Sequence, residues 1–169
     1  MTLLRSRKNL ISRNTEPLSS GQAYQYALRL LTGRDYSVAG IRRKLAARNV
    51  AEDDLETVIH RLQREGWLDD RRYAERFAAS ALSSGRYYGV RLRLEMRRRG
   101  FTPDVVDEAL TPLLAASDEI FEVRSMAERR YPGFSYSAAN DRDKRRVVGF
   151  LQRRGFGFSA IMQALRTEE

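Results

Sequence analysis

The side chains best able to do chemistry in this chain are its arginines, and their spacing suits anion binding rather than bond-making. Arg86, Arg91, Arg93, Arg97 and Arg98 crowd one short central stretch. At helical spacing Arg91 and Arg98 share a stripe with Glu95 between them, so that acid can pair with either. Arg93 and Arg97 form a second pair with no acid among their neighbours along the helix. Two unneutralised arginines on one face repel, which an external anion would relieve; a plainly solvated face is the competing explanation. Lys144, Arg145, Arg146 and Arg153 repeat the pattern more loosely toward the C-terminal end. Tyr87 and Tyr88, beside Arg86 and Gly89, could stack on exposed bases. The more ordinary role for such a tyrosine is packing on a neighbouring unit with its hydroxyl left wet.

Other chemistries find little support. Arg48, Arg99 and Arg154 recur at the last turn of equivalent helices, where favourable interaction with the negative helix end explains them without a ligand. Asp69 and Asp70 are adjacent at a helix start; such neighbours do not converge on one ion, and capping accounts for both. His60 has no second histidine or cysteine nearby in the sequence to suggest a metal. Glycine-rich phosphate loops and nucleophile motifs are missing as well. The expectation is a protein that is not an enzyme and carries neither cofactor nor metal.

Charge narrows the partners. Lys+Arg is 31 against Asp+Glu 22, a formal net charge of +9. Only Lys8, Lys44 and Lys144 are lysines, and the rest of the cations are arginine. That skew follows either from genome base composition or from the guanidinium fork's fit to phosphate and carboxylate. The excess positive charge points to nucleic acid or an acidic protein surface. The absence of cysteine from the sequence removes disulfides and thiolate metal sites and fits a reducing cytoplasm. No run of apolar residues is long enough to span a membrane. Met1–Ser20 lacks the apolar core of a signal peptide. A cytoplasmic monomer is therefore expected.

The elements that must position these arginines come in a repeat. Gly40–Leu62, Arg91–Leu113 and Arg146–Glu168 superpose without gaps. The first anchors are Ile41, Leu92 and Val147, then Leu45, Met96 and Leu151 one turn later. Next come Arg48–Asn49, Arg99–Gly100 and Arg154–Gly155, each followed by one apolar residue: Val50, Phe101 or Phe156. A second apolar stripe carries Leu55, Val58 and Ile59; Val106, Ala109 and Leu110; and Ile161, Ala164 and Leu165. Glycine or asparagine at the junction tolerates the left-handed conformation that closes a helix. A further helix precedes each pair: Gln22–Leu31, Arg71–Leu82 and Asp118–Arg130, with caps expected at Ser19–Ser20 and Ser117. Thr102-Pro103-Asp104 reads as a capped helix start. The fold expected is all-α: three tandem three-helix repeats forming an elongated modular domain. Its units would be 20–66, 67–116 and 117–169, behind a disordered basic segment 1–19. Trp67 would wedge the first unit against the second.

Several of these blocks resemble the RecX family. Asp35-Tyr36-Ser37 with Ile41-Arg42-Arg43-Lys44-Leu45 resembles its opening motif. Gly66-Trp67-Leu68-Asp69-Asp70, with Tyr73-Ala74 and Phe77, resembles its most distinctive block. Gly89, Arg91, Glu95, Met96, Arg99, Gly100 and Phe101 are similar to its second-unit helix, and Phe150–Phe156 to its third. The likeness runs from about Ala23 to Leu165; it departs at Trp67, where tyrosine is commoner, and at Asn49, which replaces glycine. The resemblance implies a regulator that lodges in the groove of RecA filaments on single-stranded DNA. Such a regulator inhibits ATP hydrolysis, strand exchange and the coprotease activity behind the SOS response. The alternative is a helix–turn–helix protein binding DNA directly, with weak, salt-sensitive affinity. Against it, Val105–Ala115 has no arginine, lysine, asparagine or glutamine with which to read a base.

Overall fold

The computed structural model describes residues 17–166, all of whose regular structure is helical. Most of the basic segment 1–19 and the last residues of the third unit lie outside that range. The helices are α1 (Ser20–Gly33), α2 (Val38–Ala46), α3 (Glu52–Arg64), α4 (Asp70–Ser83), α5 (Gly89–Arg99), α6 (Pro103–Ala115), α7 (Glu119–Arg130), α8 (Asp141–Arg154) and α9 (Phe158–Arg166). They pack in threes, the first helix of each triplet against the third: α1 on α3, α4 on α6, α7 on α9.

Local chemistry explains where the helices begin. Ser19 and Gln22 form a reciprocal capping box at α1. Ser37, Asp69, Asp118 and Asn140 accept from the first-turn backbone N–H groups of α2, α4, α7 and α8. Two expected caps differ. The α7 cap is Asp118, one residue beyond Ser117, because the carboxylate reaches both Ile120 N and Phe121 N. Thr102 is the N-cap of α6 by position, but its hydroxyl makes no capping bond, and Pro103 at the first helical position carries the start.

Each triplet closes around its own core. Ile41, Leu45, Leu55, Val58, Ile59 and Leu62 are buried with Ala23, Tyr24 and Ala27 in the first. Leu92, Met96, Phe101, Val106 and Leu110 are buried with Ala74, Ala78 and Ala81 in the second. Val147, Leu151, Phe156, Ile161 and Leu165 are buried with Val123, Met126 and Ala127 in the third. Every anchor of the sequence repeat is buried. Asn49, Gly100 and Gly155 all adopt the left-handed conformation that ends the middle helix. Trp67 is not the wedge expected of it: the residue is 48% exposed. The neighbouring Leu68 turns inward instead, into the first core.

The units meet head to tail along their middle helices. Ser37, the N-cap of α2, donates its hydroxyl to the carbonyl of Arg99, the last residue of α5. One repeat later Tyr88, the N-cap of α5, donates its N–H to the carbonyl of Arg154, the last residue of α8, at 2.8 Å. So α8, α5 and α2 follow one another with each negative helix end against the next positive one, an arrangement helix dipoles favour.

Candidate functional site

The cations of this α2–α5–α8 line are the candidate interface, and the structure sorts the expected residues by their partners. On α5, Glu95 is only 8% exposed. It pairs with Arg91 at 2.7 Å, Arg98 at 3.2 Å and, more loosely, Arg99 at 3.7 Å. One carboxylate thus gathers three arginines, as the stripe of Arg91 and Arg98 around Glu95 suggested.

Arg93 departs from expectation. Its guanidinium pairs with Asp107 of α6, so it is not an unneutralised cation. Reading charge along one helix misses an acid supplied by the next one. The Arg97 side chain remains exposed, with no ion pair or hydrogen bond among the described residues. The pair Arg93–Arg97 therefore reduces to one open cation.

The third-unit patch is similarly divided. Lys144 lies over the Tyr136 ring at 5.1 Å, and Arg146 sits over Tyr131 at 5.2 Å with Asp143 at 3.9 Å. Arg145 is exposed on α8. Arg153 and Arg91 line one groove of about 730 Å³ between the second and third units, with Val90, Leu94 and Phe156. Arg86 is exposed, and its backbone carbonyl accepts from Arg154 Nη1 at 3.0 Å.

The recurrent arginines have structural work. Arg48 lies over Tyr26 of α1 at 5.3 Å, and Arg99 occupies the equivalent place over Phe77 of α4 at 4.0 Å. Arg154 ties the third unit to the second. Tyr88 is buried: its ring stacks on Phe156 with centroids 4.6 Å apart, and its hydroxyl lies 3.1 Å from Ser117 Oγ. That is the packing role, not base stacking. Asp69 caps its own helix, whereas Asp70 accepts from Val38 N at 2.8 Å and so caps α2 of the preceding unit. His60 is exposed on α3, and the described residues hold no cluster of possible metal ligands.

One basic site escaped the sequence. A cleft of about 670 Å³ opens where the first unit meets the second. Arg34 and Asp35 lie on its α1–α2 link, Arg43 and Lys44 on α2, and Arg98 and Arg99 at the end of α5. The run Arg42-Arg43-Lys44 was visible, and its division of labour was not: Arg42 pairs with Glu52 and Glu56, leaving Arg43 and Lys44 exposed.

Comparison with known proteins covers all three units in order. Three family models match: RecX, first three-helix domain, over residues 23–62; second three-helix domain, over 69–110; and third three-helix domain, over 119–165. The chain is 48% identical over 140 residues to the regulatory protein RecX of Trichlorobacter lovleyi, covering 83% of this chain and 91% of that one. With the regulatory protein RecX of Thermus thermophilus it shares 39% identity over 146 residues, covering 86% and 91%. In fold it is similar to a crystal structure of RecX from Lactobacillus salivarius, with a TM-score of 0.72 at 19% identity over 88% of this chain and 95% of that one. Among the described residues no helix is long and apolar enough to cross a membrane. With all three domains matched in register and relatives close over most of its length, the chain belongs to the RecX family of regulatory proteins.

Proposed function

We propose that this chain binds RecA filaments on single-stranded DNA and restrains their recombinase, ATPase and coprotease activities, thereby tempering DNA repair by recombination and the SOS response. The observation that carries this reading is membership in a regulatory family whose models match each of the three units in turn. The end-to-end line of α8, α5 and α2 supports it physically. Three linked units engage a repeating partner at several points, so individually weak contacts add through effective concentration. The contact residues proposed are Arg86, Arg91, Arg97, Arg98, Lys144, Arg145, Arg146 and Arg153, with Arg93 contributing only if Asp107 releases it. The protein acts as a cytoplasmic monomer, without catalysis of its own.

Direct, sequence-independent DNA binding is the second reading, favoured by the exposed cations Arg97 and Arg145. The two separate in a co-sedimentation experiment with RecA filaments, naked single-stranded DNA and naked duplex in parallel. Retention chiefly on the filament is expected. Equal retention on naked DNA at matched salt replaces the first reading with the second.

A further inference from the structure

The cleft between the first and second units gathers cations that find no acid of their own among the described residues. Its one lining acid, Asp35, is already paired with Arg76 at 2.7 Å, and Arg98 and Arg99 share Glu95. Arg34, Arg43 and Lys44 are left with no carboxylate among the described residues. With the Glu95-paired Arg98 and Arg99, the cations of the cleft come from three directions: the α1–α2 link, the exposed flank of α2 and the end of α5. Two of the guanidinium groups are held in place before any ligand arrives. Arg34 Nε donates to the Tyr36 hydroxyl at 2.8 Å with its guanidinium 4.7 Å from that ring, and Arg99 lies over Phe77. Arg43 reaches across the junction; a Cβ on Gly100 would stand 3.4 Å from its Nη1.

We propose that this cleft is a phosphate-binding site. A carboxylate is planar and its two oxygens satisfy a single guanidinium fork. Phosphate offers oxygens in several directions at once, which matches donors that surround a space instead of lining one side of it. The equivalent groove at the second junction shows what the site requires. There the positions of Arg43 and Lys44 are taken by Leu94 and Glu95, and the groove's cations, Arg91 and Arg153, share its lining with the acid Glu119 and with Val90, Leu94 and Phe156. The site is therefore specific to the first junction and is not a property of the repeat. Because its donors belong to both units, a bound phosphate bridges them and fixes their angle. The phosphate comes either from the backbone of a nucleic acid strand or from a free phosphate compound. The strand is the source that deepens the function proposed above, and in that form the inference rests on it.

The test uses the full chain and three probes: a fluorescent oligo-deoxythymidine of about fifteen nucleotides, inorganic pyrophosphate and poly-glutamate. Arg43→Glu with Lys44→Glu is compared with Arg64→Glu with Arg142→Glu, which changes net charge equally on exposed positions elsewhere. Arg43→Gln with Lys44→Gln serves if the reversal impairs folding, judged by circular dichroism. The expected result is a loss of oligonucleotide affinity of at least about tenfold at the cleft, with a smaller loss in the control. The slope of log affinity against log salt should also fall by roughly 1.4, the value for two phosphate contacts on a single strand. Pyrophosphate binding without oligonucleotide binding, lost in the cleft variant, keeps the phosphate site and assigns it to a free ligand. Equal losses in both variants overturn the proposal, since net charge alone would then explain them. Poly-glutamate competing as well as pyrophosphate, charge for charge, overturns it in favour of an acidic peptide. None of these readouts contains RecA, so failure of the filament reading and failure of the cleft are seen separately.

Discussion

The two junctions between units are built on the same helix ends but closed by different chemistry. At the first, Ser37 donates to Arg99 O, Asp70 accepts from Val38 N–H, and Asp35 pairs with Arg76 on an exposed surface. Between these contacts the solvent-open cationic cleft remains. At the second, a backbone bond joins Tyr88 to Arg154, the Tyr88 ring stacks on Phe156, and Met126 packs onto the turn at Gly85. An exposed ion pair such as Asp35–Arg76 exchanges with water and weakens in salt, whereas the buried Ser37 bond and buried ring contacts do not. The first junction is accordingly the softer one, and the fold can be repeated without repeating its stiffness.

Glycine substitutions should give the largest contrast. Gly155 has φ +107°, and an added Cβ would stand 2.1 Å from Tyr88 O and 2.6 Å from Arg91 Cβ. Gly155→Ala should cost about 3–5 kcal/mol, combining left-handed strain with overlap against backbone. Gly100 has φ +96°, and its nearest obstacle, the rigid Ala39 Cβ, stands farther off at 2.7 Å, so Gly100→Ala should cost less, about 2–3 kcal/mol. Asn49 occupies the same left-handed position in the first unit, with φ +55°. Asn49→Gly should change stability by less than about 0.5 kcal/mol. Denaturant melts of the three variants check the order, and equal costs at Gly100 and Gly155 would remove the distinction between junctions.

Smaller effects separate the polar ties. Ser37→Ala leaves the Arg99 carbonyl and the Gly40 N–H without their buried partner and should cost about 1–3 kcal/mol. Arg76→Ala should cost less than about 1 kcal/mol, and that small cost should vanish in molar salt because the pair with Asp35 is half-exposed. A salt-independent loss at Arg76 would mean that packing, not charge, holds that corner.

The smallest effect is on pH dependence. Burial pushes the Asp70 carboxyl above its ordinary value, while the bond from Val38 N–H pulls it back. The folded chain thus holds this proton more tightly than the unfolded one. The group's contribution to stability is complete below the unfolded aspartate pKa and is lost as pH rises through the folded value. Asp70→Asn keeps an oxygen for Val38 and removes the charge. The variant should therefore gain on the wild type by roughly 1–3 °C in Tm between about pH 4 and pH 7. A relative loss over that range would show that the ionised form is the one the junction favours.

What was legible in the sequence was whatever is determined locally. Helix periodicity, the left-handed closures at Asn49, Gly100 and Gly155, and the apolar residue after each are written in short spacings, and all of them appear in the structure. The family resemblance carried the architecture further. Partners supplied by another helix were not legible: Asp107 for Arg93 and Asp70 for Val38. Trp67 was misjudged for the same reason, since neither its size nor its motif says whether Trp67 or Leu68 turns inward. The cleft of Arg34, Arg43 and Lys44 depends on which cations of a run find acids across the fold, and no spacing along the chain records that.

The central proposal, restraint of a RecA filament, meets its most direct test in the rate of RecA ATP turnover on single-stranded DNA, titrated with the full-length chain. A shortened chain ending near Ser117 serves as comparison, since it keeps the cores of the first two units and uncovers Tyr88, Leu82 and Leu114 at the cut. Turnover should fall at less than one chain per RecA protomer, because linked units bridge neighbours. The shortened chain should stay helical and inhibit far less. Unchanged turnover at saturating full-length chain, with tight binding to naked DNA in the same buffer, would contradict it.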